Sequence, residues 1–277
     1  MTRLGIMQGR LVPPTSGSIQ CFPRDRWRDE FALAEASGLE AIEWIYDVHG
    51  SDINPISEDR GVAEMSSLSS AHGVAVASVC ADFFMEEPLA RGGRRATDER
   101  LGRLHWLLRR AALAGLGRLV LPFVDSSRID GRDALDRASS ALERTLPVLD
   151  ETGVELHLET SLAPDPFRTL LDRVDHPMVK VNYDTGNSAS RGYGANEEFA
   201  AYGHRVGSVH IKDRVKGGGT VPLGTGDTDF AAVADCLAAI SYAGDLVLQV
   251  ARGTPGDEVR WARRNVEFVR ALGIGAG

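Results

Sequence analysis

Short apolar runs alternate with amphipathic stretches from one end of the chain to the other. Eight runs read as strands: Arg3–Gln8, Leu39–Ile45, Ala75–Asp82, Arg118–Val124, Val154–Thr160, Val179–Asp184, Val206–Lys212 and Asp245–Ala251. Each is short and apolar, and several are rich in Val and Ile. The segments between them carry a helical period. Leu135, Ala138, Leu142, Leu146 and Leu149 recur at steps of three or four, as do Val259, Ala262, Val266, Val269 and Leu272 after the last run. Gly38, Gly73, Gly117, Gly153 and Gly244 stand where helices give way to strands. Eight strand–helix units in 277 residues predict an α/β fold, a (β/α)8 TIM barrel, as one domain over 1–277. A doubly wound open sheet is the alternative. It usually has fewer strands at this length, and no GxGxxG follows the first run.

The last four runs each carry a polar residue at or near their C-terminal end. These are Glu159 in VELHLET, Asp184 in VKVNYDTGN, His210 in VGSVHIKD and Gln249 in DLVLQVAR. In a barrel, that rim is where chemistry is done. Alternate side chains of a strand share a face. Glu155, His157 and Glu159 therefore share one, Asn182 and Asp184 another, and Ser208, His210 and Lys212 a third. Burying so many charges is costly without a cation or ligand. Glu, Asp and His are ligands for a divalent cation. Gln249 can lend an oxygen but cannot take a proton.

Further rim residues are expected to meet a substrate: Gln8, Arg10, Glu43, Asp82, His157, Asn187 and Arg214. Lys212 either binds a substrate oxygen or pairs with Glu159 or Asp184 inside the barrel. Trp44 and Phe84 are read as an apolar wall for a sugar ring, with plain core as the alternative for Trp44. Glu197 and Glu198 are read as a solvated helix face. Two long loops, 9–24 and 213–228, leave C-terminal strand ends and should border the mouth. Gly217, Gly218 and Gly219 make either a lid segment or a simple turn.

Composition narrows the class. Apolar residues make up 43% and charged residues 25%, as in globular proteins. A net charge of −8 argues against a general nucleic-acid partner. Cys21, Cys80 and Cys236 lie far apart without CxxC spacing, which predicts reduced thiols and a cytoplasmic chain. No apolar run approaches the length of a membrane span, and MTRLGIMQGR has too short an apolar stretch for a signal peptide. A homo-oligomer is compatible with all of this.

The chain resembles the xylose isomerase-like TIM-barrel superfamily, and within it the sugar isomerase/epimerase branch with tagatose 3-epimerase-like enzymes. The resemblance runs along nearly the whole chain. It is carried by LGIMQGRL, IEWI, HLET, DTGN, HIKD and LGTGDTDF, and most specifically by the last two together. It implies a divalent cation, Mn2+ first and Mg2+, Co2+ or Zn2+ as substitutes, held at Glu159, Asp184, His210 and Gln249. It implies a small carbohydrate or cyclitol substrate and an isomerase or epimerase reaction. It also implies catalytic roles for Glu159 and for the residue at Gln249. The family pattern has Glu at that last position, and its two carboxylates exchange protons with the substrate carbon. With Gln249 the pair is broken: Glu159 acts alone, or Lys212, His157 or Asp82 takes the second role. A lyase of a keto-sugar or keto-cyclitol, or a non-catalytic sugar-binding subunit, are the alternatives. The endonuclease IV-like branch shares the fold but needs extra histidines, and Asn187 stands where that branch would have one.

Overall fold

The computed structural model describes residues 2–15 and 19–274, so residues 16–18 of the predicted 9–24 loop lie outside the described residues. Eight parallel strands close into a barrel: β1 (Leu4–Met7), β2 (Ala41–Ile45), β3 (Ala75–Cys80), β4 (Arg118–Phe123), β5 (Glu155–Thr160), β6 (Val179–Asp184), β7 (Val206–Ile211) and β10 (Leu246–Leu248). Around the barrel the order is β1-β10-β7-β6-β5-β4-β3-β2, so each strand lies beside its sequence neighbour among the barrel strands. Parallel neighbours need a crossover, and the helical segments between the strands supply it. All eight predicted strands are present, trimmed by one to three residues at some ends.

The strands are buried on both faces, which explains their near-continuous apolar runs. Outward residues pack under the helix layer. The helix Arg94–Leu113 buries Leu101, Leu104, Leu107, Leu108 and Ala111, a stripe at helical spacing. The predicted Leu135-to-Leu149 stripe is divided between two helices, Gly131–Glu143 and Leu146–Thr152. Pro147 opens the second, a position where its missing N–H costs nothing. The last stripe forms Glu258–Ala271, with Ala262, Val266 and Val269 buried. Gly73 and Gly153 cap their helices in the left-handed conformation as expected. At the expected Gly117, Gly115 takes that conformation instead.

Trp44 and Phe84 belong to the core. Trp44 is fully buried among Phe22, Trp27 and Phe31, and its Nε1 donates to Asn54 Oδ1 at 2.9 Å. Phe84 is 1% exposed and packs on Phe83. Neither offers a wall to a sugar. Glu198 is also misread from sequence. It is 2% exposed, and its carboxylate accepts from Tyr183, Ser188 and Tyr202 hydroxyls at 2.8–2.9 Å. The three cysteines are buried and unpaired. No described helix is long and apolar enough to cross a membrane.

The segment after β7 is more ordered than a loop. β8 (Asp213–Arg214) and β9 (Thr220–Val221) form a small antiparallel hairpin, with Gly217–Gly219 in its turn. Asp213 is fully buried and anchors the chain from Gly224 to Thr228. Its Oδ2 accepts the amides of Gly224, Thr225 and Gly226 at 2.9–3.1 Å, and its Oδ1 that of Thr228 at 3.1 Å. This arrangement is the physical content of HIKD followed by LGTGDTDF. Gly226 is required there: a Cβ would lie 2.3 Å from Asp213 Oδ1. Asp213→Ala strands four amides at once, and each bond to a charged acceptor is worth roughly 1.5–3 kcal/mol. The expected result is a loss of about 3 kcal/mol or more in urea unfolding, with new protease cleavage between residues 215 and 228. A stability equal to wild type would show that the loop holds itself.

Candidate active site

Glu159, Asp184 and His210 converge at the C-terminal ends of β5, β6 and β7. One ligand atom from each lies within 4.8 Å of the others, and all three side chains are buried. Strand register does the positioning: Asp184 is paired with His210 across β6 and β7. Asp184 also caps the helix Thr185–Arg191, with Oδ1 accepting the Asn187 amide at 2.7 Å. That leaves Oδ2 toward His210 Nδ1, 4.0 Å away. Glu159 Oε1 accepts from Asn187 Nδ2 at 2.6 Å, and Oε2 from Asn182 Nδ2 at 3.4 Å. Glu159 Oε2 is 3.3 Å from His210 Nδ1.

His210 is fully buried, and its two nitrogens differ. Nε2 meets Glu43 Oε1 at 2.6 Å, and Glu43 Oε2 accepts from Ser78 Oγ at 2.5 Å. Nδ1 faces the two carboxylates with no hydrogen-bond partner. Burial disfavours the imidazolium, yet the Glu43 carboxylate and the contact with Glu159 outweigh it and hold His210 at a pKa of about 10. Glu43 is buried too, but His210 and Ser78 bring its carboxyl below the usual range. Burial pushes Glu159 up, as does the neighbouring Asp184 charge, against the pull of His210 and Lys212.

Lys212 projects into the same mouth. Its Nζ donates to Gln249 Oε1 at 2.8 Å and lies 3.4 Å from Asp184 Oδ2. The amide oxygen of Gln249 is thus taken up by an ammonium. The expected pairing of Lys212 with a barrel carboxylate is present, to Asp184.

The other expected site residues divide. Asn187 and Arg214 stand beside the triad, with Arg214 Nη1 donating to Asn187 Oδ1 at 2.9 Å. Asp82 is 7% exposed and accepts from Gln20 Nε2 at 2.7 Å. Burial raises its pKa to about 6 despite the Gln20 and Cys80 bonds. Arg10 is held by the Ile19 carbonyl and by Gln20 Oε1, so it orders the loop after β1. Gln8 is fully buried, accepts the Ile45 amide at 2.9 Å, and ties β1 to β2.

Glu43 and His157, expected to meet a substrate, are both fully buried among other side chains. Glu43 lies behind His210, where its carboxylate fixes that ring. His157 is fully buried lower in the barrel, between Glu155 Oε2 at 2.9 Å and Ser208 Oγ at 2.7 Å. Ser208 in turn donates to Asn182 Oδ1 at 2.6 Å. His157 therefore supports Asn182, which supports Glu159. Strand alternation correctly aimed Glu43 and His157 inward. It carries no depth, and depth decides whether an inward residue meets substrate or another side chain.

Sequence and structural comparisons agree with this architecture. Residues 31–272 match the family described as xylose isomerase-like TIM barrel. No curated protein matches the chain in sequence. Among solved structures, a xylose isomerase domain protein from Planctomyces limnophilus superposes with a TM-score of 0.77 at 18% identity, covering 100% of this chain and 99% of that one. D-psicose 3-epimerase from Clostridium cellulolyticum H10 gives 0.74 at 16%, covering 98% and 99%. A 3-keto-D-glucoside 4-epimerase from E. coli gives 0.74 at 17%, covering 98% and 100%. With the family pattern matched over most of its length and the closed barrel in place, the chain belongs to the xylose isomerase-like TIM barrel family.

Proposed function

We propose that this protein is a metal-dependent isomerase or epimerase of a small keto-sugar or related polyol. One observation carries the reading: Glu159, Asp184 and His210 meet in a buried cluster, with His210 Nδ1 unpartnered and turned to both carboxylates. A buried donor atom without a partner is costly. Two carboxylate oxygens and one imidazole nitrogen fit a divalent cation, with manganese as first choice. Such a cation supplies Lewis-acid polarisation of the substrate carbonyl and its neighbouring hydroxyl.

The chain's own residues divide the remaining work. Glu159 removes the proton from the carbon beside the carbonyl, giving an enediolate. Its raised pKa suits it to hold that proton and return it. Asn182 and Asn187 fix its two oxygens. Lys212 places a positive charge where negative charge develops on the substrate oxygens. Asp82 lines the mouth for hydroxyl contacts, and Arg214 is a further substrate contact beside Asn187.

A second reading is favoured by the Lys212–Gln249 contact. With an amide in place of a second carboxylate, one base and one cationic partner suffice for loss of water from a keto-sugar or keto-cyclitol. Product analysis after incubation with manganese and a panel of ketoses and keto-cyclitols separates the two readings. A new sugar isomer marks the first, and an unsaturated or deoxy product the second. A protein that binds manganese and sugars but turns over none of them would be a binding subunit.

Glu43 gives a test of the metal centre that is independent of turnover. A carboxylate holding the far nitrogen of a ligating histidine typically contributes 10–100-fold to metal affinity. Glu43→Gln is therefore expected to weaken manganese binding by about that factor in a titration, with the fold retained by circular dichroism. Unchanged affinity would remove His210 from the ligand set.

A further inference from the structure

Beside the triad lies a cavity of about 220 Å³, lined by Asp125, Ser161, Asn187, Ser190, Arg191 and Arg214 among others. We propose that it receives an anionic group, a phosphate or a carboxylate, on the end of the substrate remote from the reacting carbon. The inference rests on the site reading above and adds the class of sugar that the site takes.

Asn187 joins the two spaces. Its Nδ2 holds Glu159 Oε1 at 2.6 Å, and its Oδ1 accepts Arg214 Nη1 at 2.9 Å. A ligand with one carbon at Glu159 thus continues toward the two arginines. Arg214 is aimed before any ligand arrives. Its Nε and Nη2 donate to the Gly218 carbonyl at 3.1 and 2.8 Å, which fixes the guanidinium plane. Three of its five N–H groups are used in these bonds, so two remain for an oxyanion. The hairpin turn is itself docked on the helix Thr185–Arg191, with the Gly217 amide donating to the Ser190 carbonyl at 2.8 Å.

Arg191 ends that helix, directly before the left-handed Gly192. Among the described residues it has neither an ion pair nor a side-chain hydrogen bond. The cavity has a single carboxylate, Asp125, against these two guanidiniums. Asp125 takes φ +47, a costly conformation for a residue other than Gly, and one that clusters at ligand sites. An uncharged hexose does not need two guanidiniums, whereas forked N–H donors match phosphate and carboxylate oxygens in geometry and charge. The local positive charge also runs against the net −8 of the chain, so it is not a general surface property.

The test compares affinities by calorimetry for three ligands: a ketose, its terminal phosphate ester, and the keto-uronate of the same length. Wild type, Arg191→Ala and Arg191→Lys are used. Wild type should bind at least one of the charged ligands about tenfold or more tightly than the free ketose. Arg191→Ala should lose most of that preference, and Arg191→Lys should keep part of it. Which charged ligand gains identifies the anion. Equal binding of all three ligands by wild type, or a preference that Arg191→Ala leaves intact, overturns the proposal. Arg191 is exposed at a helix end, so thermal melting of both variants should match wild type. Failure of the isomerase reading is seen separately, as absent proton exchange at a carbon of a ligand that still prefers the arginine-lined cavity.

Discussion

Glu159→Gln is expected to lower hydrogen exchange at the substrate carbon by roughly 10²–10⁴-fold, the usual contribution of one positioned acid–base group. The geometry singles out this carboxylate. It is 3% exposed at the mouth, and both oxygens are fixed by asparagine amides. Its protonated form is favoured by burial and by the Asp184 charge. Gln keeps the shape but cannot accept a proton. It also turns an amide donor toward Asn182 or Asn187, whose own amides already donate there. Metal affinity should fall as well, because one anionic ligand is lost. The measurement is deuterium wash-in from heavy water, run at saturating manganese so that lost affinity does not imitate lost chemistry. Exchange within twofold of wild type would place the base elsewhere, with Asp82, whose pKa is raised to about 6, as the next residue to change.

The sequence made the barrel legible because strand period, helix period and length all point to one architecture. Each predicted strand lies where its short apolar run lies. The triad was legible for a related reason. Glu159, Asp184 and His210 stand at or next to the ends of three consecutive barrel strands, and closing the barrel brings consecutive ends together. What stayed hidden depends on distances across the barrel. Glu43 and His210 are 167 positions apart, on strands that are not neighbours, and no local pattern announces their 2.6 Å contact. Glu198 looked solvated because it follows Glu197 in the acidic first turn of its helix. The hydroxyls that satisfy it include Tyr183, which comes from β6. Asp213 was visible only as part of a motif. Its function, to gather four backbone amides, belongs to a loop conformation and not to a residue pattern.

Gln249→Glu should have the largest effect in the opposite direction. The side chain sits just beyond β10 at the mouth, with its oxygen 2.8 Å from Lys212 Nζ, which is itself 3.4 Å from Asp184. A carboxylate in that place accepts the same ammonium hydrogen bond, so the local structure has no reason to rearrange. It adds one negative charge beside Glu159, Asp184 and His210. Part of that charge is spent on Lys212, and the remainder favours a cation. Manganese affinity is therefore expected to rise by about tenfold, a differential of roughly 1.4 kcal/mol. The new carboxylate also supplies a second proton acceptor at the mouth. If the chemistry is epimerisation, deuterium wash-in into ketoses should increase along with metal affinity. If the native reaction is loss of water, the variant should lose turnover, because Lys212 would be neutralised by a full charge where it now meets only an amide dipole. Gln249→Ala separates charge from contact: it frees Lys212 without adding an anion, and should raise neither metal affinity nor exchange. Absence of exchange and of turnover in all three forms, with manganese bound, would leave a sugar-binding role as the remaining reading of this barrel.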